Sequence, residues 1–157
     1  IDFDCMFEKG KKLSVPEIVP FRLTPNLEEA MGVLGFEGSF RKSCELTMSL
    51  IRDNENILMN FLESFIHDPL MDWRSNNSSE RGGEERNQLR IKRNQERVYK
   101  ILRRKICGIL TKDDDNTGYR DSGGLSVSVS FQVDLLIQTA VSHENLSKMF
   151  FGWMPFL

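Results

Sequence analysis

The sequence is poor in the residues that build metal and redox sites. It has three cysteines, Cys5, Cys44 and Cys107, and two histidines, His67 and His143. The cysteines are odd in number, widely spaced and never in a Cys-x-x-Cys pair. That argues against a zinc site or a disulfide framework and fits a reducing compartment. No apolar run approaches the ~18–20 residues that a membrane-spanning helix needs. Charge of one sign is not in excess either: 21 basic and 23 acidic residues give a net charge of −2. This balance points away from a nucleic-acid coat or a polybasic membrane binder. Asn76, Asn77 and Asn145 open Asn-x-Ser/Thr sequons; with no signal peptide beside them they read as chance.

What is present is material for a core. The 157 residues include eleven Phe, two Trp and seven Met, too many large apolar side chains for a chain disordered throughout. A compact chain of this size buries about 68–70 % of its unfolded surface. The first residue is Ile1 rather than Met, and the expectation is a fragment of something larger.

Residues 1–26 lack helical periodicity and carry Gly10, Pro16, Pro20 and Pro25, so an extended segment is expected. Thr24-Pro25 reads as a helix start, with the hydroxyl as N-cap and Glu28 and Glu29 at the positive end of the dipole. Gly32 and Gly35 end it. Ser39 is placed to cap a second helix, in which Phe40, Cys44, Met48 and Ile51 form one stripe. Asp53-Asn54 interrupts. A third helix follows, its pairs Ile57/Leu58, Phe61/Leu62 and Phe65/Ile66 predicting a wide buried face until Asp68-Pro69 stops it.

Residues 74–88 are polar and Gly/Ser-rich and are expected to form a mobile loop. Helix returns over 89–107, with Ile91, Val98, Ile101, Leu102 and Ile106 on roughly one face. From Glu80 to Lys105 there are ten basic and four acidic residues, a local +6 that leaves −8 for the rest. A second loop covers 108–124. The last stretch, 125–157, alternates at Leu125, Val127 and Val129, then becomes an amphipathic helix with Leu135, Leu136 and Ala140. A turn capped by Ser142 or His143 carries Leu146 and Met149 and leads into an aromatic terminus. The expected class is mainly α, in short helices with irregular ends and no complete sheet.

Several constellations bear on chemistry. Asp2-Phe3-Asp4 before a long loop is the arrangement with which a kinase holds magnesium, the carboxylate on the ion and the Phe beneath it. The basic residues Arg90, Lys92, Arg93, Arg97, Lys100, Arg103, Arg104 and Lys105 could meet phosphates. With only Tyr99 interleaved as a stacking platform, a solvated helix facing acidic neighbours is the preferred reading. Phe150, Phe151, Trp153 and Phe156 could enter a membrane interface or pack as a plug. Lys148 is the one basic residue near them, too little to draw them to anionic lipid, so packing is expected. His67, at a helix end, reads as a cap rather than a metal ligand.

Longer motifs give these features a frame. Pro16-Glu17-Ile18-Val19-Pro20-Phe21-Arg22-Leu23-Thr24 resembles the end of the activation segment in the phosphatidylinositol-3-kinase-related protein kinases. Met31-Gly32, Gly35-x-Glu37-Gly38-x-Phe40-Arg41, Cys44-Glu45-x-Thr47, Leu58-Met59, Leu62-Glu63-x-Phe65-x-His67-Asp68-Pro69-Leu70 and Trp73 resemble the helices of the kinase C-lobe in the ATR branch. Asn145-Leu146-x-x-Met149 and Gly152-Trp153-x-Pro155-Phe156 look like the FATC domain that closes such kinases. The resemblance implies an activation segment over 1–26, C-lobe helices over 27–73, a regulatory insert over 74–124 with the basic helix 89–107, and a FATC domain over 125–157.

It also implies a nuclear serine/threonine kinase of the DNA-damage checkpoint that uses ATP and magnesium to phosphorylate Ser or Thr followed by Gln, working with an accessory checkpoint subunit. Asp2 would be the metal ligand, Phe3, Asp4, Pro16, Glu17, Pro20, Phe21, Arg22, Leu23 and Thr24 parts of the activation segment, and Phe150, Phe151, Gly152, Trp153 and Phe156 the packing residues of the FATC. The family's glycine-rich loop, ATP-binding lysine and Asp-Arg-His-x-x-x-Asn catalytic loop would lie upstream of Ile1. No catalytic residue is therefore assigned, and these 157 residues alone are expected to be inactive. Neither direct nucleic-acid contact nor a membrane is expected. The alternative is a non-catalytic regulatory module that binds proteins, or a membrane, through its helices and aromatic end.

Overall fold

A computed structural model describes residues 9–67, 84–110 and 126–157. The described chain is helical: a 3₁₀ turn over Lys9–Lys12, α1 (Pro25–Ala30), α2 (Ser39–Asp53), α3 (Glu55–Ile66), α4 (Glu84–Cys107), α5 (Val129–Val141), α6 (His143–Ser147) and a second 3₁₀ turn over Phe151–Trp153. The one β pairing among the described residues is an isolated antiparallel bridge between Ile109 and Ser126. The mainly α class stands. No described helix is long and apolar enough to cross a membrane. Two compact units divide the chain, Ile1–Leu50 with Gly108–Leu157, and Ile51–Cys107.

The first unit holds the main core. Leu23, Val133, Ile137 and Ala140 form its buried centre, flanked by the half-buried Phe21, Phe36, Phe40, Cys44, Met48 and Val129. On α5 the buried positions Val133, Ile137 and Ala140 recur at four and three residues, the spacing that lines one helical face. On α2 the expected stripe is the one used: Phe40, Cys44 and Met48 face this core, while Leu46 and Leu50 on the other side are exposed. Helix α1 begins at Pro25, where a fixed φ suits the first helical position. Thr24 stands at the N-cap, but its hydroxyl makes no capping bond; it is buried instead. After α1 the chain turns through Gly32 at φ +84°, a conformation that costs glycine little. Ser39 proves to be the first residue of α2 and not its cap.

Three further expectations change. The alternating stretch stops short of Val129, because Ser128 caps α5 by accepting from the Phe131 N–H at 3.2 Å. That cap closes a helical turn where β-branched residues alone suggested a strand. Helix α4 starts at Glu84, five residues before the expected 89, since residues 84–88 hold no apolar residue whose period could announce the turn. Lastly, Ser142 takes the N-cap position of α6 with no side-chain bond.

In the second unit α3 packs on α4, and among its described residues the buried apolar ones are Met59, Ile66 and Ile106. The wide buried face expected of α3 is not formed within the described residues: Ile57 is 70 % and Phe61 61 % exposed. Periodicity showed an apolar face, not a covered one. Asp68-Pro69, Leu70, Trp73 and most of the two expected loops lie outside the described residues, as do Asp2, Phe3, Asp4 and Leu125.

Candidate functional site: the 9–24 segment and the C-terminal helices

The site is built from the expected activation segment and the terminal helices of the same unit. Gly10 is buried, and its carbonyl accepts from the N–H groups of Leu13 at 3.3 Å and Glu17 at 3.0 Å. These two bonds close a loop over 10–17. A Cβ on Gly10 would lie 2.8 Å from Glu17 Oε2, the movable end of an exposed side chain, and 3.2 Å from its Cβ, so a side chain there would have to displace Glu17. Pro16, Glu17 and Pro20 are exposed on this loop and its exit.

The segment then enters the core. Leu23 and Thr24 are 2 % and 1 % exposed. Leu23 sits in one cluster with Val133, Ile137 and Ala140 of α5, and the Phe21 ring packs at 6.1 Å and a 57° tilt on Phe40. Burying a leucine side chain fully is worth about 1.5–3 kcal/mol, and this contact joins residues more than a hundred positions apart. Arg22 points the other way, its guanidinium 5.3 Å from the Trp153 ring centroid. A cation at that range is attracted by the ring quadrupole, by roughly 0.5–1 kcal/mol where exposed.

A second tie runs between α2 and α5. Arg41 donates from Nε and Nη2 to both carboxylate oxygens of Glu37, each at 2.6 Å, and from Nη2 to Asp134 Oδ1 at 2.9 Å. Its side chain is only 16 % exposed, and the Glu37 hydrogen bonds, with help from Asp134, raise its pKa further above the ordinary value. Ser130 Oγ adds a bond to Glu45 Oε1 at 2.9 Å. Beneath them Cys44 is half-buried, and burial pushes its thiol pKa up against the opposing charge of Arg41.

Beyond α5, Asn145 is buried and donates from Nδ2 to the Thr139 carbonyl at 3.0 Å, which fixes α6 on the end of α5. Leu146 and Met149 are buried. In the terminal 3₁₀ turn a Cβ on Gly152 would come within 2.5 Å of Phe150 Cε1, so glycine is what lets that ring fold back. Of the expected packing residues, Trp153 is half-buried under Arg22, whereas Phe150, Phe151 and Phe156 are 61 %, 83 % and 54 % exposed within this chain.

In the second unit the basic helix is anchored at its C-terminal end. Glu55 accepts from Arg103 Nε at 2.7 Å and from the Cys107 thiol, and the Arg103 bond is the larger cause that holds the Glu55 carboxyl below its ordinary pKa. Gln95 Nε2 donates to the Ile66 carbonyl at 3.1 Å. Lys92, Arg93, Arg97, Lys100, Arg104 and Lys105 are exposed and Arg90 is half-buried. His67 supplies a backbone cap to α3, and its Nε2 lies 3.8 Å from Glu63 Oε1. No group of three or more His, Cys, Asp or Glu side chains that could hold a metal occurs among the described residues. Sequence reasoning named Phe21 to Thr24 and Trp153 but missed the Arg41 tie. Its Glu37 half was visible at a spacing of four residues; its Asp134 half, 93 residues away, left no local signal.

A segment end buried on a C-terminal helix, followed by a short turn and an aromatic terminus, is a helical arrangement similar to that of a solved kinase domain. The family model for phosphatidylinositol 3- and 4-kinase matches residues 1–75, and that for the FATC domain matches residues 126–157. The chain belongs to the phosphatidylinositol-3-kinase-related protein kinases. It is 45 % identical over 157 residues to the serine/threonine-protein kinase MEC1 of Candida albicans, covering 100 % of this chain and 6 % of that protein. It is 40 % identical to protein kinase rad3 of Schizosaccharomyces pombe, covering 99 % and 6 %, and 37 % identical to the serine/threonine-protein kinase ATR of Arabidopsis thaliana, covering 99 % and 5 %. Among solved structures it is similar to the FAT and kinase domain of CtTel1, with a TM-score of 0.71 and 30 % identity over 100 % of this chain and 9 % of that one. The chain thus spans about a twentieth of the length of these curated relatives.

Proposed function

We propose that the chain is the closing part of a nuclear serine/threonine checkpoint kinase that transfers the γ-phosphoryl group of ATP to Ser or Thr followed by Gln. The observation that carries the reading is the end of the 9–24 segment, where Leu23 and Thr24 are buried, Leu23 is clustered with α5, and Arg22 is laid on Trp153. Phosphoryl transfer depends on positioning and electrostatics more than on covalent chemistry by the protein. A segment that borders the nucleotide and the protein substrate must therefore be held still, and a FATC helix packed on its end does that. In this reading 1–26 is the activation segment, 27–73 the C-lobe helices, 74–124 a regulatory insert and 125–157 the FATC.

Asp2 would hold magnesium, and the ion would supply charge neutralisation for the nucleotide phosphates; Phe3 and Asp4 would follow Asp2 into the segment. The general base and the nucleotide cradle come from residues that are not among these 157. Partners in this reading are protein substrates and an accessory checkpoint subunit. The test is to assay the full-length protein with magnesium-ATP on a Ser-Gln peptide and its Ser-Ala counterpart, alongside Asp2→Ala. The reading expects transfer to the first peptide, little to the second, and loss of most turnover in the variant. Equal rates on both peptides, or near-normal kcat in Asp2→Ala, would refute it.

A further inference from the structure

We propose that Ser14 is a phosphorylation site for a separate, basophilic protein kinase, and that phosphate there changes which protein substrates this kinase accepts. The second half rests on the function proposed above; the first does not. Ser14 is exposed, and its hydroxyl has no hydrogen-bond partner among the described residues. Leu13 and Val15 on either side are 42 % and 37 % exposed. From Leu13 to Glu17 the backbone is neither helix nor strand, so it can lie extended in another enzyme's cleft. On the N-terminal side the acceptor is preceded by the 3₁₀ turn over Lys9–Lys12, which closes on Leu13 through a bond from its N–H to the Gly10 carbonyl at 3.3 Å, slightly longer than usual. The 3.0 Å bond from Glu17 to the same carbonyl keeps the loop's base closed while its tip is engaged.

The sequence before the acceptor is Lys11-Lys12-Leu13-Ser14. It places cations two and three residues upstream, where an acidic substrate cleft recognises them by complementary charge. In the modification Ser14 Oγ attacks the γ-phosphorus of ATP bound to the modifying kinase. The Oγ–H proton passes to that kinase's base, the bond to the bridging oxygen breaks, and ADP leaves. Residues 9–17 carry three lysines and one glutamate, a formal +2 that a phosphoserine of about −1.5 to −2 cancels. A cationic loop beside the protein substrate draws acidic-flanked peptides; a neutralised one does not.

The experiment treats the full-length protein with a basophilic serine kinase and magnesium-ATP, omits that kinase in the control, and measures phosphate on residue 14 by mass spectrometry. Near-stoichiometric phosphate is expected in wild type, with at least a tenfold slower rate in the Lys11→Ala/Lys12→Ala variant. The phosphorylated wild type should show a threefold or greater rise in KM for a Ser-Gln peptide with acidic flanks, unchanged kcat, and no such rise in Ser14→Ala. Occupancy below a tenth, or a rate indifferent to the two lysines, overturns the site. A filled site with unchanged KM overturns the effect on substrates. If wild type phosphorylates no peptide at all, the proposed function has failed and the effect on substrates falls with it, while the occupancy result still decides the site.

Discussion

Leu23→Ala in the full-length protein probes the contact on which the functional reading depends. Leu23 is 2 % exposed, and its neighbours Val133, Ile137 and Ala140 are 2 %, 1 % and 0 % exposed. Branched side chains and an alanine, all fully enclosed, have little freedom to collapse into the space a leucine leaves. The cost therefore falls in the upper part of the usual range for such truncations, about 3–4 kcal/mol. At 1.4 kcal/mol per factor of ten, the opened segment becomes on the order of a few hundred times more populated. Hydrogen–deuterium exchange of the amides over 17–24 reads that opening directly, and kinase rate is followed in the same samples. Val33→Ala, at a side chain that is fully exposed, serves as control and should stay within about 0.5 kcal/mol. A second arm tests contact rather than mere burial. Leu23→Ala and Ile137→Ala should be non-additive, with a coupling of at least about 0.5 kcal/mol. Unchanged exchange in Leu23→Ala, or strict additivity with Ile137→Ala, would show that this contact does not hold the segment.

Other perturbations follow from the same geometry. Arg41→Ala removes the one charge-assisted hydrogen bond from α2 to Asp134 of α5, along with the two to Glu37 just before α2, and should raise exchange at the start of α5 by an amount equivalent to about 1–2 kcal/mol; Arg41→Lys, which lacks the fork, should restore less than half. The Glu55 carboxyl has its pKa lowered in the fold by Arg103, so its contribution is complete above the ordinary glutamate pKa and is lost as pH falls through the lower folded value. Exchange in α3 should then rise on acidification below about pH 4.5, and Glu55→Gln should abolish that pH dependence. Burial raises the Cys44 pKa, so at pH 8 iodoacetamide should label it at least several-fold more slowly than a peptide thiol, as quantified by mass spectrometry. The isolated 157-residue chain should transfer no phosphate to a Ser-Gln peptide above a heat-treated control.

The helices were legible where a local cause marks them. Pro25 opened α1, Asn54 divided α2 from α3, and the four-residue spacing of Phe40, Cys44 and Met48 named the face that packs. Where the cause is distant the sequence was silent. Ile57 and Phe61 have the period of a buried face yet lie open within this chain, because period reports which side of a helix is apolar and not what covers it. Val129 looked like part of an alternating strand until Ser128 was seen to cap a helix. Glu84 and Glu85 began α4 with no apolar residue to mark the turn. The site divided in the same way. Leu23 and Trp153 could be named from ordered motifs, whereas the Arg41–Asp134 pair exists only after the chain has brought α2 and α5 together.

If the C-terminal helices hold the activation segment of a kinase, Trp153→Ala in the full-length protein should release it. Trp153 carries the Arg22 guanidinium at 5.3 Å, so its removal should increase amide exchange over 17–24 and lower the rate on a Ser-Gln peptide together, in the absence of lipid. The contradictory result is a variant whose exchange and kinase rate match wild type in solution while its binding to liposomes is lost; the terminus would then serve a membrane and not the segment.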